Sequence, residues 1–140
     1  MFRPEITPEV MNQRGSGKLP RLVGVEIVKI AADGVVGQLP VRPDLLAPNG
    51  YLHAASVIAL ADTLAGYGTF ANLPEGATSF TTIELKANFM GTARGGVIHC
   101  TATPAHLGRS TQIWDAVVTD EAGRKIALFR CTQMILRDKQ

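Results

Sequence analysis

Apolar and polar positions change their rhythm along the chain, from short strand-like runs to a helical spacing near residue 50 and back again near residue 77. GVEIVKIA (24–31) and VVGQLPV (35–41) flank Ala32-Asp33-Gly34, an Asp-Gly turn signal, and predict a β-hairpin. Upstream, ITPEVMNQR places Thr7 as an N-cap and Pro8 at the first helical position, where a missing N–H does no harm. A short helix ending near Gly15 is expected there.

The segment NGYLHAASVIALADTLAGYGTFANLP (49–74) carries apolar residues at 57, 60, 61, 64 and 65, a helical spacing. It has almost no polar face, so the helix must be covered on most sides. A sheet can cover one side, and a partner subunit is the expected cover of the other. Strand patterns follow at about 78–90, 95–105, 109–119 and 124–136, with turns at GTARGG, HLGR and DEAG, and predict an antiparallel meander. The order ββαββββ describes an α+β fold, a sheet wrapped around one long helix. Residues 1–140 are expected to form one domain, with 1–20 an N-terminal extension carrying the short helix.

Composition narrows the function. Apolar residues are 46% of the chain against 19% charged, which is a folding composition. Lys and Arg number 14 against 12 Asp and Glu, so net charge gives no general attraction to nucleic acid or an anionic membrane. The most apolar window, 51–71, includes His53, Asp62 and several Gly and Thr, and does not read as a membrane span. The N-terminus has acidic and Pro residues where a signal peptide needs an apolar core. Cys100 and Cys131 fall in strand patterns, where small buried thiols are ordinary, and suit a reducing compartment. A soluble cytoplasmic protein is expected. His53, His99 and His106 are scattered, Ser56 has no G-x-S-x-G setting, and phosphate-binding glycine loops are missing. No metal or organic cofactor is expected.

Asp62 is the single full charge between Asp44 and Glu75. A carboxylate in an apolar helix costs several kcal/mol unless it is paired, and no Lys or Arg lies three or four residues away. Either it bonds a remote group and does nothing more, or it faces a cleft where water and substrate meet. His53-Ala54-Ala55 opens the same helix, where N–H groups without internal partners suit a developing oxyanion. Asp62 lies nine residues past His53, ~13 Å along the helix at ~1.5 Å per residue. One subunit cannot bring both to one carbonyl, but two antiparallel helices across a two-fold axis can.

The pattern N-G-x-x-H-A-A-S-x-x-x-L-A-D-T-x-x-G, followed by T-I-E-L-K-A-N-F, A-R-G-G and H-L-G-R-S-T, resembles the hotdog-fold acyl-CoA thioesterases over residues 20–137. Its nearest branch is the PaaI-like group, which includes phenylacetyl-type and 4-hydroxybenzoyl-CoA thioesterases. The resemblance implies a homodimer, pairing further to a tetramer, that acts on an acyl-CoA substrate. Asp62 matches the catalytic carboxylate, which serves as general base or as nucleophile. Ala54 stands where the family has the first Gly of H-G-G, whose backbone N–H polarises the thioester oxygen. Asn49 resembles a polar residue that orients the thioester, Thr82 one that holds the attacking water, both acting across the dimer interface, and His53 fixes the helix start.

For the CoA phosphates, Gly108, Arg109, Ser110 and Thr111 present a guanidinium, two hydroxyls and glycine-adjacent backbone, and Arg94 in T-A-R-G-G is a second candidate. Arg137 and Lys139 read as solvated charge, and Trp114 and Phe129 as core. Tyr67 and Phe70 on the helix are compatible with a medium-sized or aryl acyl pocket or with helix packing. Two other functions fit the same residues: a hotdog hydratase or dehydratase using His53 beside Asp62, and a non-catalytic acyl-CoA-binding module.

Overall fold

The computed structural model describes residues 1–138, so Lys139 lies outside the described residues. Helices α1 (Pro8–Arg14) and α2 (Leu19–Val23) lead into β1 (Glu26–Ala31) and β2 (Gly34–Pro40). A 3-10 turn at Pro43–Leu45 precedes α3 (Ala54–Ala71), and β3 (Ser79–Phe89), β4 (Val97–Leu107), β5 (Thr111–Thr119) and β6 (Lys125–Leu136) complete the chain. All six strands join one antiparallel sheet in the order β1-β2-β4-β5-β6-β3, and α3 lies against one face of it. This is the hotdog arrangement.

The meander expectation holds for β4, β5 and β6 but not for β3, which pairs with β6 at the far edge. Both sides of β4 are taken, by β2 and β5, so β3 has no vacancy beside it. GTARGG is therefore a crossover loop and not a hairpin turn. Alternation along the ladders points Ile98, Cys100 and Ala102 of β4, Trp114, Ala116 and Val118 of β5, and Phe129, Cys131 and Ile135 of β6 into the core under α3.

Thr7 caps α1 as expected, its side chain accepting from the Val10 N–H, and Gly15 ends it. Helix α2 was not legible in the sequence. It is one turn long, too short for a periodic pattern, and Gly24 ends it at φ 101°. It displaces the start of the expected first strand to Glu26. The Arg42 guanidinium donates to the Leu22 and Val23 carbonyls at its C-terminus while pairing with Asp44 at 2.9 Å.

The first twenty residues are built into the fold and are not a loose extension. Met11 is fully buried. The Asn12 amide donates to the Ile27 carbonyl at 3.0 Å and accepts from the Ile27 N–H at 2.9 Å, standing in for a strand on the open edge of β1. The Arg3 N–H donates to the Ala71 carbonyl at 2.8 Å, and the Arg14 guanidinium sits 4.5 Å over the Phe70 ring. Gly15 lies against the Tyr67 hydroxyl. Part of the cover of α3 thus comes from its own chain, and Tyr67 and Phe70 are packing residues here rather than a substrate pocket.

One stripe of α3 stays uncovered. Ala54 and Ala55 are exposed, and Ile58, Ala59, Asp62 and Thr63 are half-buried. By length and composition α3 could cross a membrane, but more than half of it is buried within the protein. Beside the open stripe runs β3, whose inward-facing Leu85 and Phe89 are 38% and 44% exposed, and whose bulged Ile83 is 53% exposed.

Candidate active site

The start of α3 is held from both sides. The His53 and Ser56 groups both reach back to the Leu45 carbonyl, through the His53 N–H at 3.1 Å and the Ser56 hydroxyl at 2.8 Å. That hydroxyl is consumed by structure, in line with the absence of a nucleophile motif around it. His53 is the N-cap, and its Nδ1 accepts from the Ala55 N–H at 2.9 Å, so any ring proton sits on Nε2. The Ser56 and Val57 N–H groups both reach the His53 carbonyl. Among the described residues this leaves the Ala54 N–H as the one amide of the first turn without a partner, exposed at the positive end of an eighteen-residue helix.

Asn49 sits at the exposed tip of the loop before α3, where its Oδ1 accepts from the Tyr51 N–H at 3.1 Å. Gly50, at φ 86°, supplies the turn. The Leu52 N–H donates to the Ala93 carbonyl at 2.9 Å, which docks the crossover loop against the helix start. The next residue, Arg94, lies 4.1 Å over the Tyr51 ring. Asn49, His53, Ala54 and Arg94 therefore form one neighbourhood at the N-terminal end of α3.

Asp62 lies eight residues farther on, ~12 Å at ~1.5 Å per residue. Its Oδ1 is buried and, among the described residues, is the buried side-chain polar atom without a hydrogen-bond partner. The residue as a whole is half-buried, on the open stripe of α3. Burial holds the carboxyl above the usual carboxylate range, with no opposing charge to bring it down.

Thr82 is placed by β3. The Phe80 ring lies over Gly66, where an added Cβ would be 3.4 Å from the Phe80 Cζ. Asp62 lies four helical residues, ~6 Å, before Gly66, and Thr82 two strand residues, ~7 Å, past Phe80. Thr82 pairs with Gln133 in the β3–β6 ladder and is exposed. Its hydroxyl donates to Gln133 Oε1 at 2.8 Å. Gln133, whose sequence setting gives no sign of this contact, is fully buried on β6.

The Gly108–Thr111 turn lies at the other end of α3. The Gln112 amide, next in β5, donates to the carbonyl of Asn72, the C-cap, at 2.8 Å. The Ser110 carbonyl accepts from the Ile135 N–H, and the Arg109 carbonyl from the Arg137 guanidinium, both at 2.9 Å. Arg137 thus fixes this turn and is more than solvated charge. Arg94 and Arg109 are separated within one chain by about the length of α3, ~27 Å. A concavity of about 410 Å³ opens on the opposite face of the sheet between Lys86, Asp115, Leu128 and Arg130, away from Asp62.

A family model described as the thioesterase superfamily matches residues 49–127, the segment from the Asn49 turn to β6. A 1,4-dihydroxy-2-naphthoyl-CoA hydrolase of Listeria monocytogenes is 30% identical over 122 residues, covering 87% of this chain and 98% of the relative. A protein of the same name from Escherichia coli is 28% identical over 136 residues, covering 97% and 99%. The crystal structure of a thioesterase from Haemophilus influenzae superposes with a TM-score of 0.91 at 27% identity, over 97% of this chain and 94% of that one.

Proposed function

Since the chain belongs to the thioesterase superfamily and is an acyl-CoA thioesterase, we propose that Asp62 activates the water that attacks the thioester carbonyl. The observation that carries this is the Asp62 carboxylate itself: among the described residues its buried Oδ1 has no hydrogen-bond partner, burial raises its pKa, and it lies on the open stripe of α3. Each of these favours a base that takes a proton from water near neutral pH. Water gives a proton to Asp62 as its oxygen bonds to the carbonyl carbon. The oxyanion collapses, the C–S bond breaks, and the CoA sulfur takes that proton from Asp62 as it leaves, which restores the carboxylate. The partnerless Ala54 N–H is the group we assign to the oxyanion.

Ala54 and Asp62 of one chain are too far apart to share a carbonyl. A homodimer with antiparallel α3 helices, joined along β3, would bring the Ala54 of one protomer to the Asp62 of the other. The exposed Ile83, Leu85 and Phe89 on an open strand edge support that interface. The same packing would carry the Arg109 turn of one protomer toward the Arg94 of its partner, giving the CoA phosphates cations from both chains. We assign the protein to the cytoplasm as a dimer or a tetramer of paired dimers, working without metal or organic cofactor.

For the acyl group we propose an aryl ring. The names of two relatives specify a naphthoyl thioester, and the open stripe of α3 that carries Asp62 also presents Ala55 and Ala59, small residues that leave room for a flat ring. Hydrolysis of aryl, short-chain and long-chain CoA thioesters, followed by trapping the released thiol, tests the reading. Aryl substrates should give the highest kcat/KM, and Asp62→Asn should lower turnover by roughly a hundredfold or more. Unchanged turnover in that variant would remove Asp62 from the chemistry.

A further inference from the structure

Gln133 is fully buried, with Gln112 of β5 and Thr82 of β3 opposite it in the two ladders. The other inward positions of β6 are Ala127, Phe129, Cys131 and Ile135, and an apolar residue at 133 would avoid the cost of burying an amide. Instead the amide is engaged at both ends: Oε1 accepts from the Thr82 hydroxyl at 2.8 Å, and Nε2 donates to Cys131 Sγ at 3.4 Å. The Thr82 end of this chain is exposed, and the Cys131 end is buried.

An exposed threonine hydroxyl rotates freely unless something immobile holds it. Gln133 is such a holder, since a buried side chain bonded at two points cannot swing. The register of β3 against β6 breaks directly after Thr82, where Ile83 is the extra residue. Bulges of this kind re-aim the side chains beside them and recur next to active sites. The Phe80 ring, two residues before Thr82, packs on Gly66 one turn past Asp62, and the Asp62 charge adds to burial in pushing the Cys131 thiol, the atom Gln133 bonds, up to about 12. Thr82, Gln133, Cys131 and Asp62 are therefore one neighbourhood.

Resting on the hydrolytic reading above, we propose that Gln133 is a positioning residue. Its Oε1 accepts the Thr82 O–H hydrogen bond and so leaves the Thr82 oxygen as an acceptor for the attacking water. The water then donates one hydrogen to Thr82 and the other to Asp62, and its lone pair is left facing the carbonyl carbon. The second hydrogen passes to Asp62 as the C–O bond forms, while Thr82 and Gln133 are unchanged. Orientation of this kind acts on kcat, because the water is aligned for the transition state and the acyl-CoA is not held any tighter.

The test is a double-mutant cycle on the full chain, with kcat and KM measured for an aryl-CoA thioester and folding followed by circular dichroism. Thr82→Val and Gln133→Met should each lower kcat roughly tenfold to a hundredfold with KM within about twofold. The double variant should be no slower than Thr82→Val alone, because Gln133 acts only through Thr82. Equal losses from Gln133→Met in the wild-type and Thr82→Val backgrounds would overturn the proposal, as would an unchanged kcat in Gln133→Met. Thr82→Val with unchanged kcat overturns it whether or not the glutamine variant folds. Hydrolysis that survives both substitutions sinks the role of Gln133 alone, whereas a wild-type protein that releases no thiol from any acyl-CoA sinks the function beneath it.

Discussion

The Trp114 indole occupies the space that Gly68 leaves open: a Cβ built on Gly68 would come within 2.5 Å of the Trp114 Cη2. The indole is fully buried, and its Nε1 donates to Gln112 Oε1 at 3.0 Å. The Gln112 amide in turn donates to the Asn72 carbonyl, so β5 and the end of α3 are keyed together around one glycine. Gly68→Ala would gain about 1 kcal/mol of helix propensity. It would also drive a methyl group into a rigid ring, at a cost of about 1–3 kcal/mol or more. The overpacking wins because a buried indole bonded at its nitrogen has nowhere to move. Calorimetry should show Tm lowered by several degrees, and a Tm at or above wild type would contradict this packing.

Removing the Asp62 charge should raise stability as it lowers turnover. Burial makes the carboxyl pKa higher in the folded chain than in the unfolded one. The unfolded state therefore gives up its proton first as pH rises. The resulting penalty is absent below the unfolded carboxylate value, grows as pH rises toward the folded value, and is full above it. Asp62→Asn escapes the penalty, so its advantage over wild type in urea melts should be present at pH 7 and vanish in acid. A variant less stable than wild type at pH 7 would mean that the carboxylate has a partner.

The same raised pKa fixes one limb of the rate profile. A general base must be ionised, so kcat/KM should rise with pH through the Asp62 titration, with its midpoint above the ordinary carboxylate range. The residual activity of Asp62→Asn should lack this limb. If wild type and variant keep the same acid limb, another group is titrating.

What could be read from the sequence follows the range of the interactions involved. The period of 57, 60, 61, 64 and 65 revealed α3 because a helix buried on one side repeats locally, and the isolation of Asp62 needed no partner to be seen. The pairing of β3 with β6 rests on contacts some fifty residues apart, such as Thr82 with Gln133, and adjacent strand patterns read naturally as hairpins. Gln133 was invisible for the same reason. In CTQMIL it is one polar residue in an alternating strand, and only the fold turns it inward toward Thr82. Asn12 likewise looks like any helix residue until Ile27 is set beside it.

The exposed edge of β3 gives a prediction about assembly. Leu85 faces the same side of the sheet as the buried Cys131 opposite it in the ladder, yet is 38% exposed in the isolated chain. A guanidinium placed there would be solvated in a monomer and stripped of water in a dimer, at a cost of several kcal/mol. Leu85→Arg should therefore sediment as a monomer and lose most of its activity, with its circular dichroism unchanged. A fully active monomer would defeat the shared site.

Arg94 offers a test that separates the two ends of the substrate. Its guanidinium is exposed but not free, because the Tyr51 ring lies 4.1 Å beneath it on a loop that the Leu52–Ala93 hydrogen bond ties to the start of α3. A cation held over a ring has already lost part of its side-chain entropy, and can meet a phosphate at lower cost than a free surface arginine. Arg94→Ala should raise KM for an aryl-CoA thioester roughly threefold to tenfold with little change in kcat, as expected for an exposed charge-assisted contact made equally in ground and transition states. The same acyl group on pantetheine, which lacks the nucleotide phosphates, should be hydrolysed equally well by variant and wild type. Added salt should shrink the difference between the proteins on the CoA substrate, because the lost contact is electrostatic. An equal rise in KM for the pantetheine thioester would show instead that Arg94 supports the loop around the Ala54 N–H and does not bind phosphate.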